Sequence, residues 1–226
     1  MTTPRRLRYT VGVALTNRLV KRRPDRSRAR LFAAAAREFA AHGFAGASVD
    51  RIAAAARLNK AMIYYHFTSK AELYRNILRD MFAAVGARVA AVAASSASPE
   101  EKLRQFVDAF ATEAEARPHF PPIWFREIAE GGPHLDAATI GDMAVVLKSL
   151  GAIVQEGVRA GRFRPINPIL IHAGIVAPVM LFFASIKLRQ RLERTGIAGV
   201  SALTREEIVG HVQRVALTLL APGDRR

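Results

Sequence analysis

The chain has 226 residues, half of them hydrophobic and 23% charged, with 34 Lys and Arg against 19 Asp and Glu for a net charge of +15. This length and balance suffices to bury a core and excludes a disordered or collagen-like chain. The lack of cysteine excludes disulfides, thiolate metal sites, iron–sulfur clusters and cysteine nucleophiles, and fits a reducing, cytoplasmic setting.

Residues 1–25 read as a basic arm, in which Arg5, Arg6, Arg8, Arg18, Lys21, Arg22 and Arg23 face one acid, Asp25. A weak helix over Val11–Val20 would end at Pro24. Asn17 and Arg18 interrupt the apolar stretch and no small-residue cleavage site follows, so a secretory signal is not expected. Charge concentrated at this end points to a polyanion partner. Nucleic acid is the first reading; a solubilising tail and anionic lipid are the others.

The first firm helix spans about Arg26–His42, with Leu31, Ala35 and Phe39 on one face. Gly43 suits a left-handed stop, after which Phe44 folds back on Phe39. Ser48 caps a second helix reaching Ala56, with Asp50 at its positive end. Asn59 opens a short helix, Lys60–His66, and Ser69 with Glu72 forms a capping box for a long one reaching Ala94. Ser98-Pro99-Glu100-Glu101 starts a helix to about Ala116. Pro118, Pro121 and Pro122 then break the chain. A helix over Ile123–Glu130 ends at Gly131-Gly132, and another over Asp136–Ala160 stops at Gly161. Asn167-Pro168 opens a long apolar helix to about Arg194, and Thr204 with Glu207 caps the last, which ends near Leu220. The expectation is an all-α chain of about nine helices.

Within the long apolar helix, Ile169–Ile186 is eighteen residues without Asp, Glu, Lys or Arg. That is the lower edge of a membrane span, but His172 and Pro178 interrupt it, and a helix buried in a protein or a dimer gives the same pattern. No membrane partner is expected.

The pair Ser48–Ala56 and Asn59–His66, joined by a short connection, has helix-turn-helix dimensions. Lys60 can reach guanine O6 or N7, small Ala61 and flexible Met62 allow close approach, and Tyr64, Tyr65 and His66 suit flanking phosphates. Lys70 stands at the next helix N-terminus, beside the same phosphate row. One of the two adjacent tyrosines should be partly buried, because neighbours on a helix diverge by about 100°.

The stretch AAAARLNKAMIYYHFTSKAEL (53–73), preceded by ARLFAAAAREFAAHGFAGASVDRIA (29–53), resembles the signature of the tetracycline-repressor (TetR) family, with a clear match over about 26–85. Gly161-Arg-Phe-Arg-Pro-Ile-Asn-Pro168 is similar to many members more loosely. The resemblance implies a three-helix DNA-binding domain over 26–85, with its motif at about 48–67, and a helical ligand-binding and dimerisation domain over 86–226. It further implies a homodimer through the last two long helices. Such a dimer would bind a palindromic double-stranded DNA operator as a repressor and be released by a small effector. The DNA-facing set is Ser48, Arg57, Asn59, Lys60, Ala61, Met62, Tyr64, Tyr65, His66 and Lys70. Two positions depart from the family pattern. Arg57 stands where glycine is usual at the turn, and Ala61-Met62 replaces a small-plus-threonine pair.

The aromatic residues of the second domain suit an apolar or amphipathic effector, with Phe106, Phe110, Trp124, Phe125, Met143, Met180 and Phe183 as candidate lining. Taken singly, each reads more readily as core. No catalytic residue, metal site or cofactor is expected. His119, His134 and His172 share no helical spacing with one another, and no metalloprotease, nucleophile-elbow or phosphate-loop motif occurs. The alternative is a basic membrane-surface or non-specific DNA-binding protein without a ligand switch.

Overall fold

The computed structural model describes residues 10–222, with side chains from Arg26 onward. Among these residues there are ten helices and no strand: α1 (Thr10–Gly46), α2 (Val49–Ala56), α3 (Ala61–His66), α4 (Lys70–Ala94), α5 (Pro99–Ala116), α6 (Phe120–Ala129), α7 (Ala137–Arg159), α8 (Pro168–Ala184), α9 (Ile186–Glu193) and α10 (Arg205–Leu220). The chain is all-α, with one helix more than expected. The long apolar helix divides at Ser185, and α8 and α9 are inclined at 62°. Ser185 closes the end of α8 by donating its hydroxyl to the Phe182 carbonyl at 3.3 Å and its N–H to that of Leu181 at 2.9 Å.

Pro24 does not end α1, contrary to the expectation. A proline withholds one backbone donor, and the rungs on either side can carry the helix past it. The basic side chains of the expected arm lie outside the described residues.

The helices form one unit ending at Tyr74 and a second beginning at Arg75, the boundary falling early in α4. In the first, α1, α2 and α3 pack on one another. Leu31, Ala35 and Phe39 are all fully buried, as their spacing requires. Gly43 breaks α1 at φ 68, a value open to glycine, and one further turn follows to Gly46. Phe44 then stacks on Phe39 at 6.2 Å, and Tyr74 meets Phe39 edge-on at 4.8 Å.

In the second unit α5 is the central helix, packed against α7, α8 and α10. Its apolar face, Leu103, Phe106, Val107 and Phe110, is buried. Ser98 caps it with Pro99 in the first turn, and Asp136, Asn167 and Thr204 cap α7, α8 and α10. Pro121 and Pro122 do not break the chain; they lie in the first turn of α6, where a helix needs no N–H from them. The buried charges are paired: Lys102 with Glu156 at 2.7 Å, and Glu113 with Arg88 at 2.8 Å and with Arg117. Gly157 is fixed by packing, because a Cβ there would stand 2.0 Å from the Phe163 ring.

Candidate nucleic-acid interface and effector cavity

The helix-turn-helix is held from α1. Glu38 accepts the Ser48 N–H at 3.0 Å and the Arg51 guanidinium at 2.7 Å, which ties the start of α2 to α1. Burial works against the ionised Glu38 carboxylate, yet these hydrogen bonds win and hold its pKa below the ordinary value. Ser48 is itself the N-cap, its hydroxyl accepting the Arg51 N–H at 3.4 Å.

Arg57 ends α2 at φ 51, ψ 48, the one non-glycine residue with positive φ among the described residues. The Arg57 N–H reaches the Ala54 carbonyl at 2.9 Å and the Leu58 N–H that of Ala53 at 3.0 Å, a Schellman stop with arginine in the glycine position. Left-handed backbone costs a residue with a Cβ about 1 kcal/mol. Arg57→Gly is therefore expected to stabilise the chain by up to about 1 kcal/mol, read as a higher denaturant midpoint. An unchanged midpoint would show that the turn carries no strain.

α3 is a short helix with a single buried residue of its own, Ile63. Phe67, just beyond it, is buried as well. These two supply the fully buried part of the inward face; Tyr64 is 50% and Tyr65 71% exposed, so Tyr64 is the partly covered member of the pair and both offer surface to solvent. Lys60 and Ala61 share the exposed side, while Met62 and His66 are half-buried. The Asn59 side-chain amide oxygen Oδ1 accepts the Ala61 N–H at 2.8 Å and so starts α3. Lys60 rests on Asp50 of α2, Nζ to carboxylate 2.9 Å; hydrogen bonding to that carboxylate, then its charge, holds the lysine pKa above the usual range.

Lys70 stands at the start of α4, as expected, but it is engaged within the protein. Its Nζ donates to the carbonyls of Phe44 at 2.9 Å and Ala47 at 3.1 Å and lies 4.6 Å over the Phe44 ring. It pins the loop that precedes α2. The capping box is displaced by one residue: Ser69 accepts the Glu72 N–H at 3.0 Å, while the Glu72 carboxylate takes the N–H and hydroxyl of Thr68. A shallow groove lined by Arg30, Arg37 and Arg57 adds cationic surface that the motif alone did not reveal.

The second unit encloses an apolar cavity lined by Phe82, Phe110, Phe120, Trp124, Met143, Val146, Leu147, His172, Val176 and Met180. Phe110, Trp124, Met143 and Met180 come together as expected. Phe106, fully buried, and Phe125 do not line the cavity, and Phe183 faces a different cleft. Phe82 is not among the expected lining, because it falls within residues 26–85, read from the sequence as the DNA-binding domain. It meets Trp124 edge-on at 4.9 Å and Phe120 at 5.6 Å. His172, against Phe110 at 6.2 Å, is the one ionisable residue in the lining, and burial pushes its pKa down, so the imidazole is neutral near pH 7. The free space is ≈ 50 Å³, room for a few waters and far below the size of a small-molecule site.

Comparison with known proteins agrees with this layout. The profile of bacterial regulatory proteins of the tetR family matches residues 31–77, and that of the tetracyclin repressor-like C-terminal domain matches residues 99–204. The HTH-type transcriptional repressor NicS of Pseudomonas putida is 30% identical over 165 residues, covering 70% of this chain and 76% of NicS. The chain belongs to the TetR family. A shorter stretch of 60 residues is 50% identical to the HTH-type transcriptional repressor SCO4008 of Streptomyces coelicolor, covering 26% of this chain and 31% of that one. A tetR-family regulatory protein from Rhodococcus RHA1 shares the fold at a TM-score of 0.71 and 20% identity, covering 88% of this chain and 98% of its own. TetR proteins are transcription regulators with a DNA-binding helix-turn-helix, not enzymes, and this chain is a bacterial regulator of that kind.

Two features outside the TetR signature remain. Glu127, Glu130 and His134 lie close enough to hold a cation. Glu127, however, already accepts the His134 N–H at 2.7 Å and lies 3.2 Å from its ring nitrogen, which braces the Gly131-Gly132-Pro133 turn. By length and composition α7 could cross a membrane, as could α8 and α9 together across their bend, but core helices of this composition meet the same test.

Proposed function

We propose that this TetR regulator is a cytoplasmic repressor that binds a palindromic operator as a homodimer and is released by an apolar effector. Residues 26–85 act as the reading head, and residues 86–226 dimerise and hold the ligand. The observation that carries the reading is α3. Ile63 anchors it, while Lys60, Ala61, Tyr64 and Tyr65 face outward on a basic domain. In a major groove Lys60 contacts a base edge, and the tyrosines with His66 follow phosphates.

Selection of bound fragments from random DNA would supply the operator. Lys60→Ala is then expected to relax preference at one position per half-site, on the order of 10- to 100-fold for a bidentate contact. Equal affinity of the unaltered protein for operator and random DNA would refute specific recognition and favour the non-specific or membrane-surface alternative.

The dimer is supported by α8. Ile171, Ile175 and Val179 are buried on one side, while on the other Ile169, Leu170 and Leu181 are each more than half exposed, with Val215 and Leu219 of α10 also outward. A helix apolar all round belongs in an interior, and here a second subunit supplies the missing cover.

Effector binding has to enlarge the ≈ 50 Å³ cavity. Met143 and Met180 are adaptable side chains that can yield. Phe82 is carried by α4, the helix that also holds Lys70 and Tyr74 of the first unit. Displacing Phe82 would therefore act on α4 itself. An effector shifts the protein only by its difference in affinity for the two forms. A neutral ligand is favoured, since no charged side chain faces the cavity.

A further inference from the structure

A second cleft lies where α8 turns into α9, in the same unit as the cavity but sharing none of its lining residues. Its apolar walls are Phe182, Phe183, Ile186 and Leu203, its floor carries Arg189, and its free volume is ≈ 270 Å³. Unlike the inner cavity, it is already open to this extent.

The state of Arg189 is unusual. Its guanidinium sits over the Phe182 ring, 4.0 Å from the centroid, which fixes its position. Its Nε and Nη1 are both shielded from water, and neither has a hydrogen-bond acceptor among the described residues. A guanidinium carries five N–H donors and stays charged at any ordinary pH, so the missing partner is an oxygen acceptor, best an anionic one. The neighbouring carboxylates are already engaged. Arg205 takes Asp108 at 2.8 Å and Glu115 at 3.2 Å, with Thr112 at 3.0 Å. Among the described residues, Arg205 also lines the cleft and its Nε too lacks a hydrogen bond, but its charge is matched by these carboxylates, whereas Arg189 is left without a counter-charge.

We propose that this cleft is a second small-molecule site, for a carboxylate on a compact apolar or aromatic body. The carboxylate accepts a charge-assisted hydrogen bond from the Arg189 guanidinium, and the body packs against Phe183, Ile186 and Leu203. Of the two arginines in the lining, Arg205 is already paired with Glu115, so one uncompensated charge, that of Arg189, favours a monoanion over a phosphate dianion. The site does not depend on the reading of the inner cavity. The two select opposite ligands, since the inner lining bears no charged side chain and would favour an uncharged molecule.

The test uses 4-phenylbutyrate and 4-phenylbutyramide, which differ at the carboxylate alone, titrated calorimetrically into the full chain at neutral pH. The acid is expected to bind roughly tenfold more tightly than the amide. Arg189→Gln should erase that preference. Leu203→Trp, which fills the cleft from the facing wall and leaves the guanidinium intact, should abolish binding of the acid. Val176→Phe, which crowds the inner cavity instead, should leave it unchanged. Equal affinity for acid and amide would overturn the proposal, as would acid binding that survives both cleft variants. A change of oligomeric state in Arg189→Gln with acid binding intact would place the guanidinium in a subunit contact and overturn it equally.

Discussion

Phe39→Ala should lower stability by about 3–5 kcal/mol and abolish DNA binding at ordinary temperature. Phe39 is fully buried and holds Phe44 and Tyr74 against α1, so truncation leaves an aromatic-sized void at the centre of the first unit. A typical domain has only about 5–15 kcal/mol in hand, and the platform beneath α3 would be largely unfolded. Denaturant unfolding followed by helicity, together with a DNA titration, measures both effects. A variant that melts within about 1 kcal/mol of the parent would show that the first unit does not rest on this cluster.

Leu170→Glu combined with Leu181→Glu should give a monomer. Both side chains project from the uncovered face of α8, at 63% and 58% exposure. A two-fold axis places each new carboxylate twice in the interface, unpaired and out of water. The folded chain should survive, because these positions are not in its core. Losing the second reading head should weaken palindrome binding on the order of 10²- to 10⁴-fold, while contact with a single half-site persists. Sedimentation of the double variant as a dimer at micromolar concentration would rule out α8 as the interface.

The helices were legible because their ends are written in cap chemistry. Ser48, Ser98, Asp136, Asn167 and Thr204 each accept the N–H their position predicts. The division at Ser185 was not legible, since an apolar helix may run through a serine and no glycine or proline marks the bend. The proline pair of α6 was misjudged because proline both interrupts and begins helices, and only the position in the turn decides. Among the residues expected to face DNA, the exposure of Tyr64 and Tyr65 depends on how little of α3 reaches the core, a tertiary fact. The engagement of Lys70 depends on carbonyls at Phe44 and Ala47, more than twenty residues earlier in the chain. The cavity lining was partly legible from its aromatics. Phe82 and His172 emerged only once α4, α5 and α8 were placed together.

If Lys60 reads a base, as proposed, the Asp50–Lys60 pair would give recognition the character of an exchange. Away from DNA the ammonium is held in a weak, exposed ion pair with Asp50, so a base edge would have to win it from a carboxylate as well as from water. On unrelated sequence the pair would tend to hold, which would leave contacts there to the phosphates. At a guanine the lysine can cross over, but Asp50 is then left negative beside a polyanion, so the exchange succeeds only where the geometry of the new contact is good. A wrong base is thus rejected twice, by the missing acceptor and by the stranded carboxylate. Neutralising Asp50 would leave a protein that holds DNA more tightly everywhere and distinguishes its site less well.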